Sequence, residues 1–359
     1  MRKRRAPRLL SLALAVCMAL SLACLPASAA ETADGQDNSP FTFQFRNGEA
    51  TITGYAVEPS DRVSHLEIPA TATDESGQVY PVTAIDSKVF RNCTWINSVT
   101  IPDSVTSVGS DAFNGSGLTS VTVPATVEDW GGLVYANCDS LRSVTVEEGV
   151  TEIPSYMFGN CASLTSVQLP STLAELGDQC FQNTGLTSVN LPSGLREIGD
   201  SAFSGTDLTG ITIPDTVTEI GSYAFASTPM TSITIPDSVT KFGGNVFRDS
   251  GLTSIATPDS VTSLGEQTFY NCDSLRSAVI GSGVTRMGQT FMGCDNLTDV
   301  TLGENVKTLD ETFRGCSALK TLTIPASVTT MYDPVDGCTS LETVYLEGMT
   351  APYCDIWNT

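Results

Sequence analysis

The sequence predicts an α/β repeat solenoid of about 12–13 coils. Three observations predict it: an aromatic residue that recurs every 22 or 23 positions, a β-branched segment within each interval, and a proline that closes most of those segments. A unit of that length cannot bury its own apolar face, so successive units must stack and share one continuous core.

Residues 1–30 come first and carry an export signal. Arg2, Lys3, Arg4, Arg5 and Arg8 precede an apolar run from Leu9 to Leu25, and Ala27-Ser28-Ala29 has the small-x-small form of a signal-peptidase site. Cleavage after Ala29 or Ala30 is expected, and Cys24 follows Ser21-Leu22-Ala23, a poor lipobox. This leader holds five of the 18 Lys and Arg and none of the 40 Asp and Glu, which leaves a mature chain of net charge −27. Such a surface repels nucleic acid and anionic lipid. Residues 31–40 are polar and aperiodic, as expected of a flexible lead.

Residues 41–69 are expected to form an N-terminal β-hairpin cap and the first strand. Phe41, Phe43 and Phe45 alternate with polar residues, Thr51 to Tyr55 do likewise, and Asn47-Gly48 lies between as a tight turn. The solenoid proper is expected over 70–346, with Ala70 to Tyr80 as an insertion in the first coil and 347–359 as a C-terminal tail.

One coil, Leu208 to Phe225, displays the unit. Leu208, Ile211 and Ile213 point inward and Thr209 and Thr212 outward, as on a pleated strand. Pro214 offers no N–H to a ladder and ends it, as do Pro69, Pro102, Pro124, Pro170, Pro192, Pro236, Pro258 and Pro325. Gly221 belongs to a column with Gly109, Gly131, Gly177, Gly199, Gly243, Gly265 and Gly288, where a positive φ or a close backbone approach would exclude a side chain. Phe225 closes the coil. Its column is Phe90, Phe113, Tyr135, Phe158, Phe181, Phe203, Phe225, Phe247, Phe269, Phe291 and Phe313, with Val335 in the last slot. At the usual rung spacing the thirteen strand segments make a rod about 60 Å long.

Three residues past the aromatic stand Cys93, Cys138, Cys161, Cys272, Cys294, Cys316 and Cys338; other coils place Ser116, Thr184, Thr206, Thr228 or Ser250 there and reach the next strand one residue sooner. Neighbouring coils bring these thiols within disulfide range, but ladder side chains run parallel, which favours buried thiols. Cys354 lies outside the ladder. No Cys-x-x-Cys pair suggests a metal, His65 is the lone histidine, and Asp103, Asp215, Asp237 and Asp259 follow the strand-ending proline as turn residues. No cofactor, metal or catalytic residue is expected.

The combination Leu118 to Pro124, Val217 to Phe225 and Asn271 to Leu275 resembles the BspA-like leucine-rich repeats of bacterial surface proteins, over about residues 41–346. That resemblance implies a right-handed solenoid with a parallel sheet on its concave side and a role in adhesion. The partner it implies is an extracellular protein or glycoprotein, met by a monomeric chain without catalysis. A structural surface-layer component and a polysaccharide-acting enzyme are the alternatives. The outward strand column (Thr122, Thr145, Gln168, Asn190 and their successors) is poor in the aromatic and Arg residues that dominate interfaces. Binding is therefore expected at departures from the repeat: Trp95, Tyr270, Met292 and Arg276. Trp130, another departure, falls in an inward slot and is expected in the core.

Overall fold

The computed structural model describes residues 39–348 and 352–355. The leader at 1–30, nearly all of the lead at 31–40 and part of the tail at 347–359 lie outside the described residues.

The hairpin forms as its alternation predicts. Phe41–Arg46 pairs antiparallel with Glu49–Tyr55. The turn residues Asn47 and Gly48 have φ of 54° and 85°, the left-handed pair whose twist suits a two-residue hairpin. Glu49–Tyr55 then pairs in parallel with Val79–Ile85, so the hairpin supplies the first rung of the solenoid. Phe41 and Tyr55 also lay their rings against Phe90, at 6.3 and 5.2 Å between centroids. They cover the end of the core. The insertion folds back on itself: Thr71–Thr73 runs antiparallel to Val79–Ile85 around Gly77.

Twelve coils follow, and each presents three sides. The β-branched segments form the first side, for example Ser120–Val123, Ser143–Val146 and Ser166–Gln168 in register, and later Ser254–Ala256, Ser277–Val279 and Asp299–Thr301. Between Gln168 and Ser254 this ladder lapses to a single bridge, Thr212 to Thr234. A second parallel ladder, which the repeat pattern did not announce, runs through the residues just before the glycine column. Glu152–Ile153, Glu175–Leu176, Glu197–Ile198, Glu219–Ile220 and Lys241–Phe242 are its central strands. The third side carries the aromatic column. In all twelve coils the residues two before and two after that position have positive φ, from Lys88 and Asn92 around Phe90 to Asp333 and Gly337 around Val335. This double curl turns the chain through the corner while its amides still bond coil to coil: Ser201, Phe203 and Gly205 donate to Ser222, Ala224 and Ala226 at 2.7 to 2.9 Å.

The α component of the expected α/β class is absent among the described residues, whose one helical piece is the 3₁₀ turn Pro59–Asp61. The paired left-handed residues do the turning that a helix does in other solenoids. The glycine column has one of its two expected reasons. None of its members has positive φ; instead a Cβ at Gly265 would lie 2.1 Å from the Gly243 carbonyl oxygen, and one at Gly243 2.3 Å from the Ser222 nitrogen.

The aromatic column stacks from end to end. Adjacent rings from Phe90 to Phe313 lie 4.9 to 5.8 Å apart and within 17° of parallel. All are fully buried, including Tyr135, whose hydroxyl finds no partner. Burial therefore raises the Tyr135 pKa far above the phenol range. The thiol slot is buried beside this stack, and among the described residues no disulfide forms. Cys272, Cys294 and Cys316 donate to the carbonyl of the aromatic position one coil back, at 3.0 to 3.2 Å. Thr184, Thr206 and Thr228 donate instead to the aromatic carbonyl of their own coil at 2.8 to 2.9 Å. Either donor satisfies a buried backbone oxygen, and this explains why small residues with an S–H or O–H share the slot.

Candidate functional site

The four expected binding residues do not form one site. Trp95 is half-buried in the Phe90 coil, with the Arg62 guanidinium 3.9 Å above its ring and its indole N–H buried without an acceptor. Tyr270 lies in the Phe269 coil, eight coils further on, roughly 40 Å away by the rung spacing. It too is half-buried and stacked, under the Arg248 guanidinium at 4.5 Å. Met292 takes the same position in the next coil and is half-buried. Arg276 is exposed and stands one residue before the strand Ser277–Val279, not on it. Trp130 is half-buried, because an indole is too large for a slot that Val108 and Ile153 fill completely.

The Tyr270 region borders a polar groove of about 990 Å³. It lies where the corners are short. Between the thiol slot and the next inward residue the Cys coils have two residues (Cys272-Asp-Ser-Leu275), whereas four consecutive coils have one (Thr184-Gly-Leu186, Thr206-Asp-Leu208, Thr228-Pro-Met230, Ser250-Gly-Leu252). The short corners at Thr206, Thr228 and Ser250 line it, and the longer corner at Asn271, Asp273 and Ser274 walls one end. Arg248 lines the groove and is held in place from three directions. Its Nε bonds Asp249 at 3.2 Å, its Nη1 bonds Asn245 at 3.3 Å, and its plane covers Tyr270. A guanidinium fixed this way is organised to meet an acceptor before any partner arrives. Asp207, Asp249 and Asp273 supply acceptors along the same groove.

A second cavity of about 390 Å³ is apolar and lies beside the last coils, among Leu322, Met331, Pro334, Val335 and Cys354. It opens where Val335 replaces the aromatic and ends the ring stack. Val344, Tyr345 and Leu346 are exposed nearby.

His65 is exposed, its Nδ1 2.8 Å from Ser98 Oγ and its Nε2 3.4 Å from Thr100 Oγ1. No carboxylate bonds the ring among the described residues, so the pair lacks the group that orients a catalytic base. Among those residues no three His, Cys, Asp or Glu side chains are placed to hold a metal ion, and no helix is long and apolar enough to cross a membrane.

Sequence reasoning missed an acidic column. Glu152, Glu175, Glu197 and Glu219 stand directly opposite one another on the second ladder. Their signal was available: each lies two residues before the glycine column, 22 or 23 positions from the next.

The family described as "BspA type Leucine rich repeat region (6 copies)" matches residues 51–187, 132–253, 174–294 and 245–351. No curated protein matches the chain. Among solved structures, a leucine-rich cell surface protein from Faecalibacterium prausnitzii A2-165 is 27% identical, with 89% of this chain and 96% of that one covered and a TM-score of 0.54. A leucine-rich repeat protein from Bacteroides ovatus is 23% identical over 91% of this chain and 90% of its own, with a TM-score of 0.58.

Proposed function

The chain belongs to the BspA-type leucine-rich repeat family, and on that basis we propose that it is an exported, surface-exposed adhesion module that binds an extracellular protein or glycoprotein, without catalysis. The observation that carries this reading is the corner groove: three consecutive short corners line about 990 Å³ of polar surface beside a pinned Arg248 and Tyr270. Export is supported by the basic, apolar and small-x-small order of residues 1–30, and surface location by the description of the Faecalibacterium relative as a cell surface protein.

The test uses the secreted protein from culture supernatant, immobilised and offered matrix proteins, mucins and bacterial cells. One partner is expected to be retained, and Tyr270→Ala combined with Met292→Ala should weaken its capture about tenfold, the effect of losing one moderate hot spot. Retention of nothing on the panel would overturn the adhesion reading. Unchanged capture by the double variant would overturn the placement.

A structural surface-layer role is the second reading, favoured by the exposed Val344, Tyr345 and Leu346 beside the apolar cavity. It requires regular self-association, which sedimentation of the secreted protein distinguishes from a monomeric adhesin.

A further inference from the structure

The acidic column on the second ladder costs the fold stability and meets, at one end, a cleft with an aromatic wall. Glu152, Glu175, Glu197 and Glu219 are paired residue to residue. Their rungs are spaced about 4.8 Å apart, and like charges directly opposite on a sheet are destabilising. The fold does not require carboxylates there, because the same column holds Ser107, Ser263, Arg286, Thr308 and Thr330 in other coils. Lys241 closes the run by pairing with Glu219. Burial, and then the charges of Glu175 and Glu219, hold the Glu197 carboxyl above the ordinary range.

The other end of the run is an interruption. The ladder that includes Ser107–Val108 and Asp129–Trp130 stops there, and a new one begins at Glu152–Ile153. Pro154 occupies the glycine slot and has no N–H to offer the Trp130 carbonyl, the bond that Gly177 makes to Ile153 at 2.9 Å one coil later. The gap is a cleft of about 420 Å³ walled by Trp130, Val127, Val150 and Pro154, with Glu128, Asp129 and Glu152 also lining it and no Lys or Arg among its residues. The indole backs onto the Tyr135 ring at 6.1 Å, which holds it in place.

We propose that this face docks a basic, extended segment of a partner protein: one Lys or Arg head enters the cleft against Trp130 between Glu128, Asp129 and Glu152, and further cations lie along Glu175, Glu197 and Glu219. An aromatic face and carboxylates beside it are the two attractions a desolvated cation needs. Length agrees with charge. The four glutamates span three rung spacings, roughly 14 Å, about the reach of residues i to i+4 of an extended chain, whose alternate side chains share one side. The segment therefore carries cations at alternate positions. This surface is separate from the corner groove and stands whether or not Tyr270 binds anything.

The probe is a synthetic peptide of alternating Lys and Thr, with a Gln-and-Thr peptide as its neutral counterpart, titrated calorimetrically into the full secreted chain. The Lys peptide is expected to bind and the Gln peptide at least tenfold more weakly, with affinity falling as salt is raised. Glu175→Gln with Glu197→Gln, both outward and harmless to folding, should weaken the Lys peptide about tenfold. Trp130→Leu should do the same, while Asp215→Asn with Asp237→Asn, on turns elsewhere, should leave it unchanged. Equal binding of the two peptides overturns the proposal. An equal loss from the Asp215 and Asp237 pair overturns it as well, since it reduces the effect to overall charge. If the glutamate variant weakens binding and the folded Trp130 variant does not, the cleft is excluded as the anchor.

Discussion

Glu197 lies between two carboxylates of its own kind, and neutralising it should strengthen the fold. Its pKa is raised by burial and by Glu175 and Glu219, so the folded state binds this proton more tightly than the unfolded chain does. The contribution is fully present below the unfolded pKa and is lost as pH rises through the folded one. Glu197→Gln should therefore raise the denaturation midpoint at pH 7 by less than about 1 kcal/mol, the range for exposed charges. The gain should shrink toward pH 4, and denaturant melts at both pH values check it. Thiol reactivity is a second prediction at this scale. Cys354 is exposed and Cys338 half-buried, its thiol pushed up to about 11 by burial, whereas Cys93, Cys138, Cys161, Cys180, Cys272, Cys294 and Cys316 are buried. With iodoacetamide at pH 8, mass spectrometry should find Cys354 labelled first, Cys338 slowly, and the other seven only after unfolding. The thiol column was legible from spacing alone. Its purpose was not, because the carbonyl that each thiol or hydroxyl satisfies belongs to a position seen only once the coils are stacked.

Coils and their corners depend on a few positions each. Removing Phe203 opens a gap between Phe181 and Phe225 in an unbroken ring stack and should cost about 3–5 kcal/mol by denaturant melt. Gly265→Ala forces a Cβ to within 2.1 Å of the Gly243 carbonyl and should destabilise strongly, while Gly210→Ala, with nothing within 4 Å of its Cβ, should leave the midpoint nearly unchanged. A comparison of the two variants checks the close-approach account of the column. The hairpin, the aromatic column and the β-branched strands were readable in advance, since each repeats a residue type or an alternation. The second ladder was not, because strands of two residues such as Glu197–Ile198 leave no alternation to detect. Nor were the left-handed corners, filled as they are by Gln179, Ser201, Tyr223 and Asn245 in place of glycine. Trp130 packs against the core as its inward slot implies, but only half of it is buried, which the slot alone did not tell.

Across the whole molecule the period fixes the architecture and says little about the partner. The corner groove is lined by three coils whose corners are one residue short; the shortening is visible in the sequence, but a missing residue has no side chain to mark it as a site. Inserting Ser after Pro229 should restore a long corner, narrow the groove and weaken partner capture severalfold while the melt stays within about 1 kcal/mol, as loop insertions commonly allow. The interruption at Pro154 has a mechanical consequence as well. Under a load along the rod, coils part in series, and at the junction between Trp130 and Glu152, Pro154 removes a rung and a cleft already separates the walls. Force spectroscopy on the full chain should find its weakest event there, releasing a coil's worth of backbone, roughly 80 Å at full extension. Under tension the chain should yield first at that joint and lengthen before its remaining coils are stressed.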